Sequence, residues 1–253
     1  MSGHSKWSSI KHKKARTDSQ RGKLFSKLAR AITVAAREGG GNPDMNHTLG
    51  AAIQKAKDYN MPFENIDRAV KRGTGEIAGA RYETIVYEGY GAGGVAVMVE
   101  AMTDNRNRTA SDIRNIFDRH NGKLGSSGCV GWMFERKGRI VVDKGSGIGE
   151  EALLDLAIEV GAEDIRTEDE KQWEIITAAA DVMSVRKALE ENGVVAESAE
   201  ITMVPKNIVK LNESDAKKVL KLMDSMEDHD DVQEVFSNFD IPDEILTELE
   251  AAS

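Results

Sequence analysis

The sequence predicts an α+β protein of several domains: an N-terminal three-helix domain followed by two ferredoxin-like α+β domains, one inserted in the other. Three observations carry this prediction. Up to Gly73 only helical periodicity and helix caps are visible, and after Gly79 strands and helices alternate. Within the second part, Gly138 to Val204 runs strand, helix, strand, strand, helix, strand, the order of a split βαβ unit. A chain of 253 residues also exceeds the usual size of a single domain.

The first helix is bounded by Thr17 with Gln20, a capping-box pattern, and by the triple glycine Gly39 to Gly41. Asn42-Pro43 opens a second helix with proline at its first position, and Met45, Leu49, Ala52, Ile53 and Ala56 supply its apolar face. Pro62 opens a third, which sets Phe63, Ile66 and Val70 on one side and stops at Gly73. The three stripes can share one small core.

Beyond Gly79, Tyr82 to Glu88 and Val95 to Met102 read as paired strands across GYGAGG, and Asn105 to His120 as a helix. The βαββαβ run follows as RIVVD, EEALLDLAIEVG, AEDIRTE, WEIITA, MSVRKALEENG and VAESAEITMV. After Pro205, the helix SDAKKVLKLMDSMEDH and the strand DVQEVFSNF form a half-unit that needs partners, which the elements between Tyr82 and Phe134 can supply. The expected division is therefore 1–78, then 79–136 with 205–250, interrupted by 137–204. An independent C-terminal helical hairpin is the competing arrangement.

Charge is unevenly placed. The net charge is -9, but residues 1–73 hold 15 Lys and Arg against 6 Asp and Glu, a balance of +9, which leaves -18 for the remainder. A basic module on an acidic body fits a polyanionic partner, although uneven solubilising charge gives the same numbers. At 100° per residue, Arg16, Lys23, Lys27, Arg30 and Arg37 fall within a sector of about 80° on the first helix. Leu24, Leu28, Ala31, Ile32 and Ala35 occupy a sector centred well over 100° away, while Arg21 points toward the apolar side. No carboxylate interrupts the stripe, whereas solvated faces usually mix signs. Upstream, GHSKWSSIKHKKAR adds Lys6, Lys11, Lys13 and Lys14 around Trp7. Lysines neutralise phosphates without reading sequence, and the tryptophan either stacks on an exposed base or caps the helical core.

A second constellation is TDNRNRTASDIR, where Asp104 or Asn105 caps a helix whose first turn contains Arg106 and Arg108. Arginine there opposes the helix dipole, so Asn105, Arg106 and Arg108 outline an anion or partner site at the helical N–H groups. Pairing of the arginines with Asp104 or Asp112 is the alternative.

Enzymatic signals are weak. KGSGIGEE follows a strand, but Glu150 replaces the last glycine of a dinucleotide fingerprint, and Glu151 beside it repels a pyrophosphate. The sequence contains no GxxxxGK[ST], HExxH or GxSxG; GSSGC reads as a glycine-rich turn, and the five histidines lack ligand spacing. EDHDD, from Glu227 to Asp231, reads as a solvated helix end rather than a cation site. No cofactor, metal or turnover is expected. One cysteine, Cys129, allows no internal disulfide, and no apolar run approaches the roughly 20 residues that span a bilayer. No secretory signal is visible, so a cytoplasmic protein with no membrane partner is expected.

The blocks GHSKWSSIKHKK, RGKLFSKLARAITVAAREGGGNP, KAKDYNMPFENIDRAVKRGTGE, YEGYGAGG, TDNRNRT and DVQEVFSNFDIP, in this order, resemble the YebC/PmpR family over nearly the whole chain. The one departure is Ala31, where an acidic residue is expected after Arg30. The resemblance implies three domains, one interrupted by another, and DNA-binding transcriptional regulation. It also implies an alternative, since relatives include a mitochondrial translational activator and ribosome-associated factors that relieve stalling at proline-rich sequences. The matching positions are Lys6, Trp7, Lys11, Lys14, Arg21, Lys23 and Lys27, with Arg106 and Arg108. The expected partner is thus nucleic acid, either DNA or ribosomal RNA, with the ribosome as a candidate assembly. No RNP aromatic motif or helix-turn-helix recognition helix chooses between them.

Overall fold

A computed structural model describes residues 18–167 and 171–241. The architecture is α+β. Helices α1 (Asp18–Gly39), α2 (His47–Asp58) and α3 (Phe63–Thr74) come first. They enclose a core that includes Leu28, Ile32, Leu49, Ala56, Ile66 and Ala69. Ile32 and Leu49 are fully buried, and side chains of this size contribute about 2 kcal/mol each on leaving water. Gly73 is where α3 meets α1: a Cβ there would lie 2.5 Å from the Thr33 carbonyl oxygen and 2.6 Å from the Ala36 Cβ. Glycine therefore permits the close crossing.

Three expectations fail in this part. Pro43 lies in the turn before α2 rather than in its first position, and Met45, expected in the core, is 83% exposed. The helix starts later because buried Asn46 is the cap. Its side-chain oxygen accepts from the Leu49 N–H at 3.1 Å, and its amide donates to the carbonyls of Ala35 and Gly40 at 2.8 Å each. A cap of this kind contributes about 1 kcal/mol, and this one also ties α2 to the end of α1. Phe63 is likewise exposed, because α3 turns Ile66 and Ala69 inward instead.

The chain then builds β1 (Glu83–Tyr90), β2 (Ala96–Thr103), α4 (Arg106–Arg119) and β3 (Lys123–Leu124). Next come β4 (Phe134–Asp143), α5 (Glu150–Glu159), β5 (Asp164–Arg166), β6 (Gln172–Ala178), α6 (Val182–Glu191) and β7 (Ser198–Pro205). The last elements are β8 (Val209–Lys210), α7 (Glu213–Glu227), β9 (Val232–Ser237) and β10 (Phe239–Asp240). One four-stranded sheet has the order β5-β6-β4-β7, with every pairing antiparallel. Helices α5 and α6 cover it through Leu153, Ala157, Val185 and Leu189, which pack on Ile140, Val142 and Ile175. β4 starts at Phe134, five residues before the expected RIVVD, and the extension pairs with the end of β7.

The other sheet has the order β3-β1-β2-β9, also antiparallel throughout. β9 returns from the far side of the βαββαβ unit to pair with β2, so the segment after Pro205 is not an independent helical hairpin. α4 and α7 fill the face of this sheet with Ile113, Phe117, Val219, Leu222, Met223 and Met226. β8 and β10 form a separate short parallel pair. Among the described residues, no helix is long and apolar enough to cross a membrane.

Candidate nucleic-acid interface

Three cations of α1, Lys23, Lys27 and Arg30, converge on one short segment at the end of α7. Lys23 Nζ donates to the Asp228 carbonyl oxygen at 3.3 Å, and Lys27 Nζ to that of Glu227 at 2.5 Å. These carbonyls lie at the helix C-terminus, where the last oxygens lack intrahelical donors and the dipole favours positive charge. Arg30 donates to the Asp230 carbonyl at 2.5 Å and to the Asp231 carboxylate at 2.9 Å, with its guanidinium 5.3 Å from the centroid of the Tyr82 ring. Lys23, Lys27 and Arg30 thus face the body of the protein, and EDHDD is a solvated helix end only in part: Asp228 and Asp230 are exposed, whereas Asp231 is only 3% exposed.

The TDNRNRT motif reaches the same carboxylate from the other side. Asn105 caps α4, its side-chain oxygen accepting from the Arg108 N–H at 3.1 Å. The Arg108 guanidinium bridges Asp231 at 2.7 Å and Asp104 at 3.1 Å, and the Thr109 hydroxyl donates to Asp231 at 2.8 Å. Arg108 therefore takes the pairing alternative, with Asp231 added across 123 residues of chain. Arg106 remains exposed, and its carbonyl accepts from the Tyr87 hydroxyl at 3.5 Å. Asp112 turns instead to His229 Nε2 at 3.4 Å, while His229 Nδ1 accepts from the Asp231 N–H at 3.1 Å. Burial alone would push Asp231 up. Hydrogen bonds from Arg108 and Thr109, together with the charges of Arg108 and Arg30, outweigh it and leave the carboxyl below its ordinary range.

The remaining candidates are placed differently. Arg21 is exposed, with its guanidinium 5.8 Å from the centroid of the Phe25 ring, and Arg37 is exposed beside Glu38 at 4.0 Å. Lys6, Trp7, Lys11, Lys13, Lys14 and Arg16 lie outside the described residues.

Two positions that the sequence did not single out complete the contact between helices and sheets. Lys55 on α2 reaches Glu234 on β9 at 2.6 Å and Glu200 on β7 at 3.7 Å. Burial disfavours its charge, but the two carboxylates more than compensate and hold it above the usual lysine value. Asp231 is the other. EDHDD displayed its carboxylate, but nothing local marked which of the acids turns inward.

The comparisons with known proteins agree with this architecture. Residues 5–76 match the model described as the TACO1/YebC protein N-terminal domain, and residues 82–239 match that of the TACO1/YebC second and third domain. A probable transcriptional regulatory protein of Halothermothrix orenii is 61% identical over 251 residues, covering 98% of this chain and 99% of that protein. One from Dictyoglomus turgidum is 55% identical over 249 residues, covering 98% of this chain and all of that one. In the crystal structure of a conserved hypothetical protein from Aquifex aeolicus, a chain of 52% identity superposes with a TM-score of 0.81, covering 90% of this chain and 93% of that chain. The chain belongs to the TACO1/YebC family.

Proposed function

We propose that the protein is a non-enzymatic regulator of gene expression that binds nucleic acid, with the N-terminal helices gripping the phosphate backbone. The names of the relatives support a regulatory role. The observation that carries the binding mode is what the stripe holds in this structure: Lys23, Lys27 and Arg30 engage the oxygens of an acidic segment, 227–231. Carbonyl and carboxylate oxygens are the same class of acceptor as phosphate oxygens, so this segment is the internal occupant that a phosphate backbone replaces. Binding then involves separation of α1 from the end of α7.

Two substitution sets test this exchange. Changing Lys23, Lys27 and Arg30 together to Gln should weaken binding to any duplex and reduce the slope of log K against log salt by up to about 0.9 per lost phosphate contact. Changing Asp231, whose carboxylate is the side-chain acceptor of Arg30, to Asn should strengthen binding. An unchanged salt slope in the folded triple variant would assign the stripe to docking of the helices alone.

Between DNA and ribosomal RNA, the lack of a base-reading element favours RNA. A promoter factor needs readout in a groove, and the sequence shows no helix-turn-helix recognition helix, whereas folded RNA is recognised largely by shape and backbone. The protein is then expected to co-sediment with ribosomes at moderate salt and to distinguish a promoter from scrambled DNA by less than about tenfold. A promoter preference above about 10³, with no protein in the ribosomal fractions, leaves the DNA-binding transcriptional role.

A further inference from the structure

The acidic body contains one long segment without carboxylates. Between Asp118 and Glu135 there is no Asp or Glu, and the segment holds Arg119 and Lys123; no acid-free run beyond residue 73 is longer. It folds into the end of α4, β3 and a turn that leads to Trp132, which is 65% exposed.

This turn is rigidly held. Buried Glu88 accepts backbone N–H bonds from Gly128 and Val130 at 2.7 Å each and from Gly131 at 2.6 Å, while its own carbonyl accepts from Gly125 at 2.8 Å. Burial would push the Glu88 carboxyl up, but the three amides outweigh it and hold it below its ordinary range. A Cβ on Gly125 would lie 2.5 Å from the Cys129 sulfur, so the turn closes tightly on itself.

Two aromatic rings are anchored to it through a single oxygen. Trp132 Nε1 donates to the Cys129 carbonyl at 3.1 Å, and the Tyr90 hydroxyl donates to the same atom at 3.0 Å. Each ring has thereby satisfied its polar group within the protein, which fixes its edge. Lys123, exposed, is the register partner of Tyr90 across β1 and β3. In the turn that precedes Trp132 the exposed residues Gly125, Ser126, Ser127 and Gly128 are small or polar, so this turn adds no large apolar side chain to the indole. A protein interface of any strength needs a larger apolar area, whereas one flat base needs one ring.

We propose that Trp132, with Tyr90 beside it, is a stacking site for an unpaired nucleobase of a single-stranded or looped nucleic acid, with Lys123 near its phosphate. The inference rests on the reading that the partner is nucleic acid, and adds that the partner exposes unpaired bases. Sequence-tolerant stacking of this kind is how single strands are held on aromatic side chains.

Fluorescence anisotropy with three labelled probes tests it on the full chain: an unstructured RNA oligonucleotide, a DNA strand of the same sequence, and a blunt duplex with the same number of phosphates. Trp132→Ala should weaken binding of a single-stranded probe at least about fivefold and leave the duplex unaffected. Trp132→Phe, which keeps a stacking face, should recover most of the loss, and a thermal melt unchanged from native excludes misfolding. Loss with either the RNA or the DNA strand supports the site, and the strand bound more tightly names its source. Unchanged single-strand binding, or equal loss on the duplex, overturns it while the role of the basic stripe stands. If the native chain binds none of the probes, both proposals fail.

Discussion

Asp231 and Glu88 are buried carboxylates that both sit below their ordinary pKa, yet their donors come from opposite kinds of source. Asp231 is held by side chains from three elements distant in sequence, Arg30 on α1, Thr103 on β2 and Arg108 with Thr109 on α4. Glu88 is held by three amides of one turn. Arginine side chains must be ordered to make such contacts and are open to salt, whereas amides in a closed turn are already in place. The first arrangement can exchange its partners for the oxygens of another polyanion; the second can only hold or break. The difference separates a contact suited to opening from one suited to rigid presentation of a surface.

The largest effect is expected at Glu88. Glu88→Ala leaves three amides without an acceptor and should cost about 3 kcal/mol or more by urea denaturation, with Glu88→Gln recovering part of the loss. A smaller cost than that of Asp231→Asn would break the comparison. Asp231→Asn keeps one acceptor oxygen, enough for Thr109 and Arg108, but loses the charge and the oxygen that accepts from Arg30, so a cost of about 1–2 kcal/mol is expected. The same substitution loosens the hold on Arg30 and Arg108, so affinity for a duplex should rise; a fall in affinity would show that closure of the helices on the body assists binding.

The smallest effect is in the pH profile. For each group the folded carboxyl lies below its unfolded value, so the native state binds fewer protons. The stabilisation is then complete above the unfolded carboxylate value of about 4 and is lost as the pH falls through the folded value. Melting temperatures between about pH 7 and pH 3 should fall less steeply for the double variant Glu88→Gln, Asp231→Asn than for the native chain. Parallel curves would mean that neither carboxylate contributes to acid sensitivity.

Much of the fold was legible because its signals are local. The periodic α1, the βαββαβ run and the helix and strand after Pro205 all appear in the expected order. The errors are also local. Asn42-Pro43 is a stronger helix-start motif than Asn46-His47, and only the approach of Ala35 and Gly40 makes Asn46 the better cap. Phe63 has the spacing of a core residue but sits at the first position of α3, beyond the edge of the packed face.

By itself the sequence determined the α+β class, the segregation of cations on one face of α1, and the unusual arginines at the start of α4, because helical periodicity and caps depend on residues only a few positions apart. It also contained the acid-free segment in which Trp132 lies. Only the tertiary structure decided what these features meet. The oxygens held by Lys23, Lys27 and Arg30 lie about 200 residues away, and the oxygen that anchors Trp132 and Tyr90 also accepts from a strand 39 residues earlier. Charge pairing depends on distance in space, and that distance is set by the return of β9 to the edge of β2, which carries the acidic end of α7 under α1.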